Sequence, residues 1–149
     1  MPLRYGRRTP WPYAQGSPQD SVGALRGIYR PPLALLGAIY YWEAKGEARK
    51  VFDSDLRATV VDFLKKHSDK AQESGSYMSV ALFIVGRRPE QAKPTVMLVS
   101  DDKAARKEAF QLIRDSDILA QYPGFEIDHT DFEKLMALGG SAAASGSRH

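Results

Sequence analysis

Apolar side chains recur three and four positions apart between residues 32 and 64, and this spacing predicts two amphipathic helices. The first follows the proline pair at positions 31 and 32, a favourable helix entry, and ends near Gly46. The second begins at Asp53 or Ser54, because either side chain can cap a helix. Four apolar residues form the buried stripe of this second helix: Leu56, Val60, Phe63 and Leu64.

Further along the chain, an almost continuous apolar run at 77–85 predicts a strand with both faces covered, and residues 95–99 predict a second strand. A short polar loop joins them, so we expect an antiparallel hairpin. A helix over about 102–114 follows, and residues 125–129 alternate between apolar and polar side chains like a half-buried strand. Because strand–helix–strand units cross over in the right-handed sense, this last strand is expected to lie parallel to the second. Asp131 then begins a closing helix.

These elements predict an α+β domain at residues 32–138, in which a three-stranded mixed sheet packs against helices in the order α-α-β-β-α-β-α. Residues 1–31 are expected to form a proline- and arginine-rich arm that is disordered or latches onto the domain. Residues 139–149 are small and polar, and are expected to form a flexible tail. A narrow sheet has two edge strands, and an edge invites a covering arm or a partner strand.

The composition narrows the classes of function. The 149 residues contain no cysteine, which removes disulfides, thiolate nucleophiles and zinc-finger or iron–sulfur sites. The net charge is +3, and residues 1–32 hold five arginines against the single acid Asp20, a local charge of +4. A nucleic-acid domain usually has a basic face on its folded part instead. Nucleic-acid binding through the arm is therefore only a further alternative.

No apolar run has the roughly 20 residues needed to cross a bilayer. The longest, at 33–42, stops at Glu43 and lies too far from Met1 for a signal peptide. Six of the nine prolines fall within residues 1–32, which prevents the amphipathic helix of a mitochondrial transit peptide. We therefore expect an intracellular, cytoplasmic protein with no membrane partner.

The strand-to-helix turn at 99–103 is the best-shaped candidate for ligand binding, because free N–H groups at a helix N-terminus attract anions. The residues of this ligand corner are Ser100, Asp101, Lys103, Arg106, Arg87 and Arg88. The adjacent carboxylates of Asp101 and Asp102 could also hold magnesium at the end of a strand. Capping is the preferred interpretation, since these two carboxylates already satisfy the positive end of the helix and repel phosphate.

Residues 128–131, Asp-His-Thr-Asp, contain side chains that can bind metals or transfer protons. A metal site needs three or more converging ligands, and the other histidines are only His67 and His149. A strand end that leads into an N-cap at Thr130 or Asp131 explains the stretch without chemistry. No nucleophile elbow or other catalytic motif is present. We therefore assign no catalytic residue, metal ligand or cofactor, and we lean against an enzyme.

Three large aromatic residues, Tyr40, Tyr41 and Trp42, occupy consecutive positions of the first predicted helix. Successive helix positions lie about 100° apart, so the three rings cannot all face one core. At least one is expected to be exposed, covered by the arm or held by another chain. Trp11 and Tyr13 form the hydrophobic spot of the arm and join this candidate interaction surface.

Several short stretches resemble a group of uncharacterised proteins of filamentous fungi. These stretches are residues 28–32, residues 94–100, the pair Arg106-Lys107 and residues 122–125. The resemblance implies a genuine folded domain and a fungal origin, and in such proteins this region looks like part of a longer chain. It implies no activity.

Together, the missing reactive groups, the aromatic residues, the edge strands and the arm predict a non-catalytic protein-interaction domain. Its partner is expected to be another protein or a second copy of the chain. The first alternative is a small phosphoryl-ligand or metal-dependent enzyme site at residues 100–103. Nucleic-acid binding through the basic arm is the second alternative.

Overall fold

The computed structural model describes residues 19–30, 37–68, 78–131 and 133–135, which form a mixed five-stranded sheet with its main helices on one face. The strands are β1 (Val22–Tyr29), β2 (Ile39–Ala44), β3 (Ser79–Gly86), β4 (Lys93–Val99) and β5 (Glu126–Thr130). The helices are α1 (Gly46–Val51), a π-helix (Phe52–Leu56), α2 (Arg57–His67) and α3 (Lys103–Asp115). Short 3-10 turns lie at Gln19–Ser21, Pro89–Gln91 and Leu119–Gln121.

The strand order in the sheet follows the order in the chain, β1-β2-β3-β4-β5. The first three pairs are antiparallel, and β5 lies parallel to β4, with Val96 opposite Ile127. The antiparallel β3–β4 hairpin and the parallel last strand are confirmed predictions. α3 supplies the crossover connection that a parallel pair needs.

The predicted three-stranded sheet and the order α-α-β-β-α-β-α are wrong, because the sheet has five strands and the order is β-β-α-β-β-α-β-α. The first predicted helix fails because Ile39–Ala44 is β2. Its run of β-branched and aromatic side chains packs better on a pleated strand than on a helix. The second missed strand, β1, lies within the stretch assigned to the arm, where Gly23 and Gly27 obscured its strand character.

Gly46 begins a helix instead of ending one. Its φ of +59° turns the chain from β2 into α1, and a Cβ at this position would lie 2.5 Å from the carbonyl oxygen of Asp20. This close approach lets Ser21 cap the helix. The Ser21 carbonyl accepts from the Lys45 N–H at 2.9 Å, and the Ser21 Oγ accepts from the Ala48 N–H at 3.3 Å. Two backbone donors at the start of the helix are thereby satisfied from the turn before β1.

The expected helix start at Asp53 or Ser54 falls inside the π-helix. This wide turn keeps Phe52 and Leu56 buried, and α2 continues the stripe with Val60 and Leu64. The hydroxyl of Tyr122 donates to Asp55 Oδ2 at 2.8 Å and so ties the π-helix to the segment that follows α3. The predicted apolar stripe is thus correct, although the predicted helix start is not.

Apolar side chains are buried on both faces of the sheet. On the helix side, the strands contribute Trp42, Ala44, Val80, Leu82, Ile84, Val96 and Leu98 to the larger core. On the other face, Tyr41, Met97 and Val99 form a smaller cluster, against which Leu135 of the helical residues 133–135 packs. β4 is therefore covered on both sides, whereas β3, for which the sequence predicts cover on both faces, has fully buried side chains only at alternate positions.

Asp131 starts the closing helical residues, as expected. Its carboxylate Oδ1 accepts from the Lys134 N–H at 2.5 Å, and its carbonyl accepts from the Leu135 N–H at 3.1 Å. Among the described helices, none combines the length and the apolarity that a membrane crossing requires.

Candidate functional site

The three consecutive aromatic residues lie on β2, where side chains alternate between faces. Tyr40 and Trp42 stack on each other, with ring centroids 5.6 Å apart. Tyr41 points to the other face and meets Phe83 edge-on at 6.2 Å. Only 8% of Tyr41 and 9% of Trp42 is exposed, so the domain itself covers these two rings. Trp11 and Tyr13, the other members of the predicted surface, lie outside the described residues.

Burial raises the pKa of the Tyr41 hydroxyl, and the charge of Asp128 and the neighbouring Tyr29 raise it further. All three influences disfavour the phenolate. Tyr41 therefore stays protonated at neutral pH, where it acts as a packing residue in the smaller apolar cluster.

The most exposed apolar side chain instead lies on β1. Leu25 is 46% exposed and is the only large hydrophobic residue exposed among those described. It pairs with Trp42 in the register, and the half-buried Tyr40 lies two positions before Trp42 on β2. No described strand pairs with the outer side of β1, so Leu25 sits on a sheet edge.

The two edges of the sheet differ in how strongly they resist pairing. β5 has only five residues and carries the exposed acids Glu126 and Asp128, of which Glu126 lies 3.8 Å from Lys93 Nζ. Charged side chains and short length both protect an edge. β1 has eight residues and one charged side chain, Arg26. Its protection is a shift of register on either side of Leu25, which leaves the apolar side chain in solvent.

The predicted ligand corner is largely occupied by its own hydrogen bonds. Asp102 caps α3, since its Oδ1 accepts from the Ala105 N–H at 3.0 Å. The buried Ser100 Oγ accepts from the Asp102 N–H at 3.1 Å. The guanidinium of Arg106 donates to the Ser100 carbonyl at 3.1 Å and to Nδ1 of His129 at 3.2 Å. These contacts hold the turn and α3 against β5.

The remaining residues of the ligand corner lie apart from these contacts. Asp101 and Lys103 are exposed on the same turn. Arg87 and Arg88 follow β3, next to the start of β4, whereas Ser100 follows the end of β4. The seven residues of β4 separate the two arginines from Ser100 by roughly 20 Å. The structure thus brings Ser100, Asp102, Arg106 and His129 together, and it does not bring Arg87 or Arg88 to them.

His129 accepts a hydrogen bond through Nδ1, and its ring lies against Phe110 with centroids 5.0 Å apart. Burial is the largest influence on the pKa of His129 and lowers it. The negative charge of Asp128 raises this pKa, and the positive charges of Arg106, Lys107 and Lys134 lower it further. Burial and the three basic neighbours therefore favour the neutral imidazole in the folded protein. Across the described ranges, no group of three histidine, aspartate or glutamate side chains is placed to hold a metal ion.

Protonation of His129 should destabilise the fold, because it removes the acceptor for Arg106 and adds a like charge. The pKa is lower in the folded state, so this contribution to stability is present above about pH 6.5 and is lost as the pH falls through the folded pKa. We expect His129→Gln to lose less stability than the wild type below pH 6.5, since a glutamine oxygen can still accept from Arg106. Urea unfolding at several pH values measures this difference.

The matched control is His67→Gln, which changes an exposed histidine on α2. A pH dependence that changes in His129→Gln and not in His67→Gln would assign the acid loss of stability to His129. An unchanged pH dependence in His129→Gln would assign the acid loss of stability to other groups.

Comparison with protein-family models, with curated proteins and with solved structures found no match. The resemblance to fungal proteins therefore stays an expectation from the residues quoted above. Leu25 is a candidate residue that the sequence did not indicate. Glycine is uncommon in strands, and Gly23 and Gly27 on either side of Leu25 therefore weakened the strand pattern of β1. Its exposure and edge position carry the functional argument.

Proposed function

We propose that the protein is a non-catalytic interaction domain that self-associates through the outer edge of β1. The observation that carries the proposal is the exposure of Leu25 on an edge strand with few charges. An unpaired edge presents backbone donors and acceptors to another strand, and an apolar side chain beside them adds burial energy on pairing.

The sequence of β1 suits a second copy of itself as the partner. In an antiparallel pair related by a two-fold axis at Leu25, each Leu25 lies opposite the other, and Arg26 lies opposite Ala24. Cross-strand charge repulsion is therefore avoided, and glycines face glycines at Gly23 and Gly27. Such a pair would join two five-stranded sheets into one continuous sheet.

Sedimentation velocity over a range of concentrations tests the proposal. The wild-type protein should form a dimer, and Leu25→Lys should weaken it by roughly 30-fold or more. About half of each leucine surface is available for burial, worth about 1 kcal/mol per copy, and the two lysines would also repel each other. The matched control is Gln91→Lys, which adds the same charge at an exposed position in the turn before β4.

A charge exchange tests the register directly. Leu25→Lys and Leu25→Glu should each be monomeric alone and should form a mixed dimer when combined, since the opposite charges would meet across the two-fold axis. A wild type that stays monomeric at every concentration overturns the proposal. So does a Leu25→Lys protein that dimerises as strongly as the Gln91→Lys control.

A further inference from the structure

A cleft of about 330 Å³ opens where the pairing of β2 with β3 ends. The pairing of β2 with β3 ends at Glu43 and Phe83, and the chain then turns into α1. The first residues of β3 therefore have no partner on β2, and the backbone of Val80 faces the helices instead. The wall opposite β3 is formed by α1, the π-helix and the start of α2.

Three arginines from three different elements line this cleft: Arg26 of β1, Arg49 of α1 and Arg57 of α2. The acids in the lining are Glu43 and Asp53, so the cleft has an excess of one positive charge. Arg49 and Arg57 lie about two helical turns apart on consecutive helical elements, and the fold brings Arg26 of β1 to the same cleft.

Two of these arginines are held in position by the backbone. Arg57 Nε donates to the Val80 carbonyl at 3.4 Å, and Arg49 Nε donates to the Ala44 carbonyl at 3.4 Å. A guanidinium anchored through Nε keeps its terminal nitrogens for another acceptor. Ordering these long side chains in advance lowers the entropy cost of binding.

The three guanidinium groups differ in the hydrogen bonds and ion pairs that they form within the protein. Arg49 forms an ion pair with Asp53 at 3.3 Å. The terminal nitrogens of Arg57, and the whole guanidinium of Arg26, have no hydrogen bond or ion pair to any of the described residues. Arg26 and Arg57 are thus the two lining arginines whose terminal nitrogens are all without a partner among the described residues, and they line the cleft from β1 and from α2.

We propose that this cleft binds a small organic oxyanion, a carboxylate or a phosphate ester, between Arg26 and Arg57. The planar donor fork of arginine matches both kinds of oxyanion with paired hydrogen bonds. The volume is at the lower end for small-molecule sites, which suits a compact metabolite. The π-helix in the wall is consistent with a binding role, since π-helical turns are frequent at functional sites.

Isothermal titration of the full chain with inorganic phosphate, pyrophosphate and citrate tests this site, with sodium chloride matching the ionic strength. We expect saturable binding of at least one anion. Whether citrate or the two phosphates bind shows whether the site prefers a carboxylate or a phosphate group. Arg57→Gln and Arg26→Gln should each weaken that binding by about tenfold or more. Arg57→Lys should restore only part of it, because lysine keeps the charge and loses the fork.

The control variant is Arg88→Gln, which removes the same charge from an exposed turn next to Glu90. It should bind the anion as the wild type does. Arg26→Gln guards against a folding artefact, since Arg26 makes no ion pair or hydrogen bond with the described residues whose loss could unfold the chain. Absence of saturable binding to all three anions overturns the proposal. Equal weakening by Arg26→Gln and Arg88→Gln also overturns it, because that result indicates only diffuse charge attraction.

Discussion

Gly46→Ala is expected to lower the free energy of unfolding by about 3 kcal/mol. Part of this loss is the cost of an L-residue in the left-handed region at φ +59°. The rest comes from the contact of the new Cβ with the carbonyl oxygen of Asp20, 2.5 Å away, which no side-chain rotation can relieve. Moving that backbone apart would also stretch the hydrogen bonds that the N–H groups of Lys45 and Ala48 donate to Ser21.

Gly37→Ala separates these two contributions. Gly37 also has a positive φ, +89°, but a Cβ there would have no atom within 4 Å. Its substitution should cost only the conformational term, about 1 kcal/mol. Urea unfolding of both variants gives the comparison. Equal losses at Gly37 and Gly46 would contradict the close approach of the Asp20 turn to α1.

Leu98→Ala is expected to destabilise the fold by about 3–4 kcal/mol. Leu98 is fully buried on β4, the strand that is covered on both faces, and it packs in the helix-side core. The neighbouring strands and helices hold each other in place, so the space left by the side chain cannot close completely.

Leu25→Ala is the matched control, since it removes the same atoms from the exposed edge. Its cost should stay within about 0.5 kcal/mol, as for most surface substitutions. Both variants should be unfolded in urea at a protein concentration low enough for monomers, so that self-association does not contribute. Similar losses for Leu25→Ala and Leu98→Ala would contradict the placement of Leu25 on the surface.

The elements from β3 to β5 could be predicted, because the hydrophobic pattern of each of these segments fits only one type of secondary structure. The apolar runs that became β3 and β4 are too hydrophobic for an exposed element, and the polar residues that begin at Ser100 mark the entry to α3. The first half could not be predicted in the same way. Residues 39–42 fit both a helical stripe and a strand, and the pairing of β2 between β1 and β3 decides the outcome.

The candidate sites were predicted less well than the fold, because both depend on contacts between distant residues. The exposure of Leu25 follows from its place on β1, a strand whose two glycines weaken its pattern in the sequence. The cleft needs Arg26, Arg49 and Arg57 to meet, and no spacing in the sequence signals that meeting. By contrast, capping of α3 depends on residues three positions apart, and the sequence indicated a cap in this turn at Ser100 or Asp101, whereas the structure gives that role to the adjacent Asp102.

The agreement between strand order and chain order has a consequence for how this architecture can change. Each strand lies beside the one that precedes it, so no strand must be inserted between two existing neighbours. The first and last strands are therefore the borders of the sheet. Evolution or protein engineering can add a strand at either border and leave all four present pairings intact.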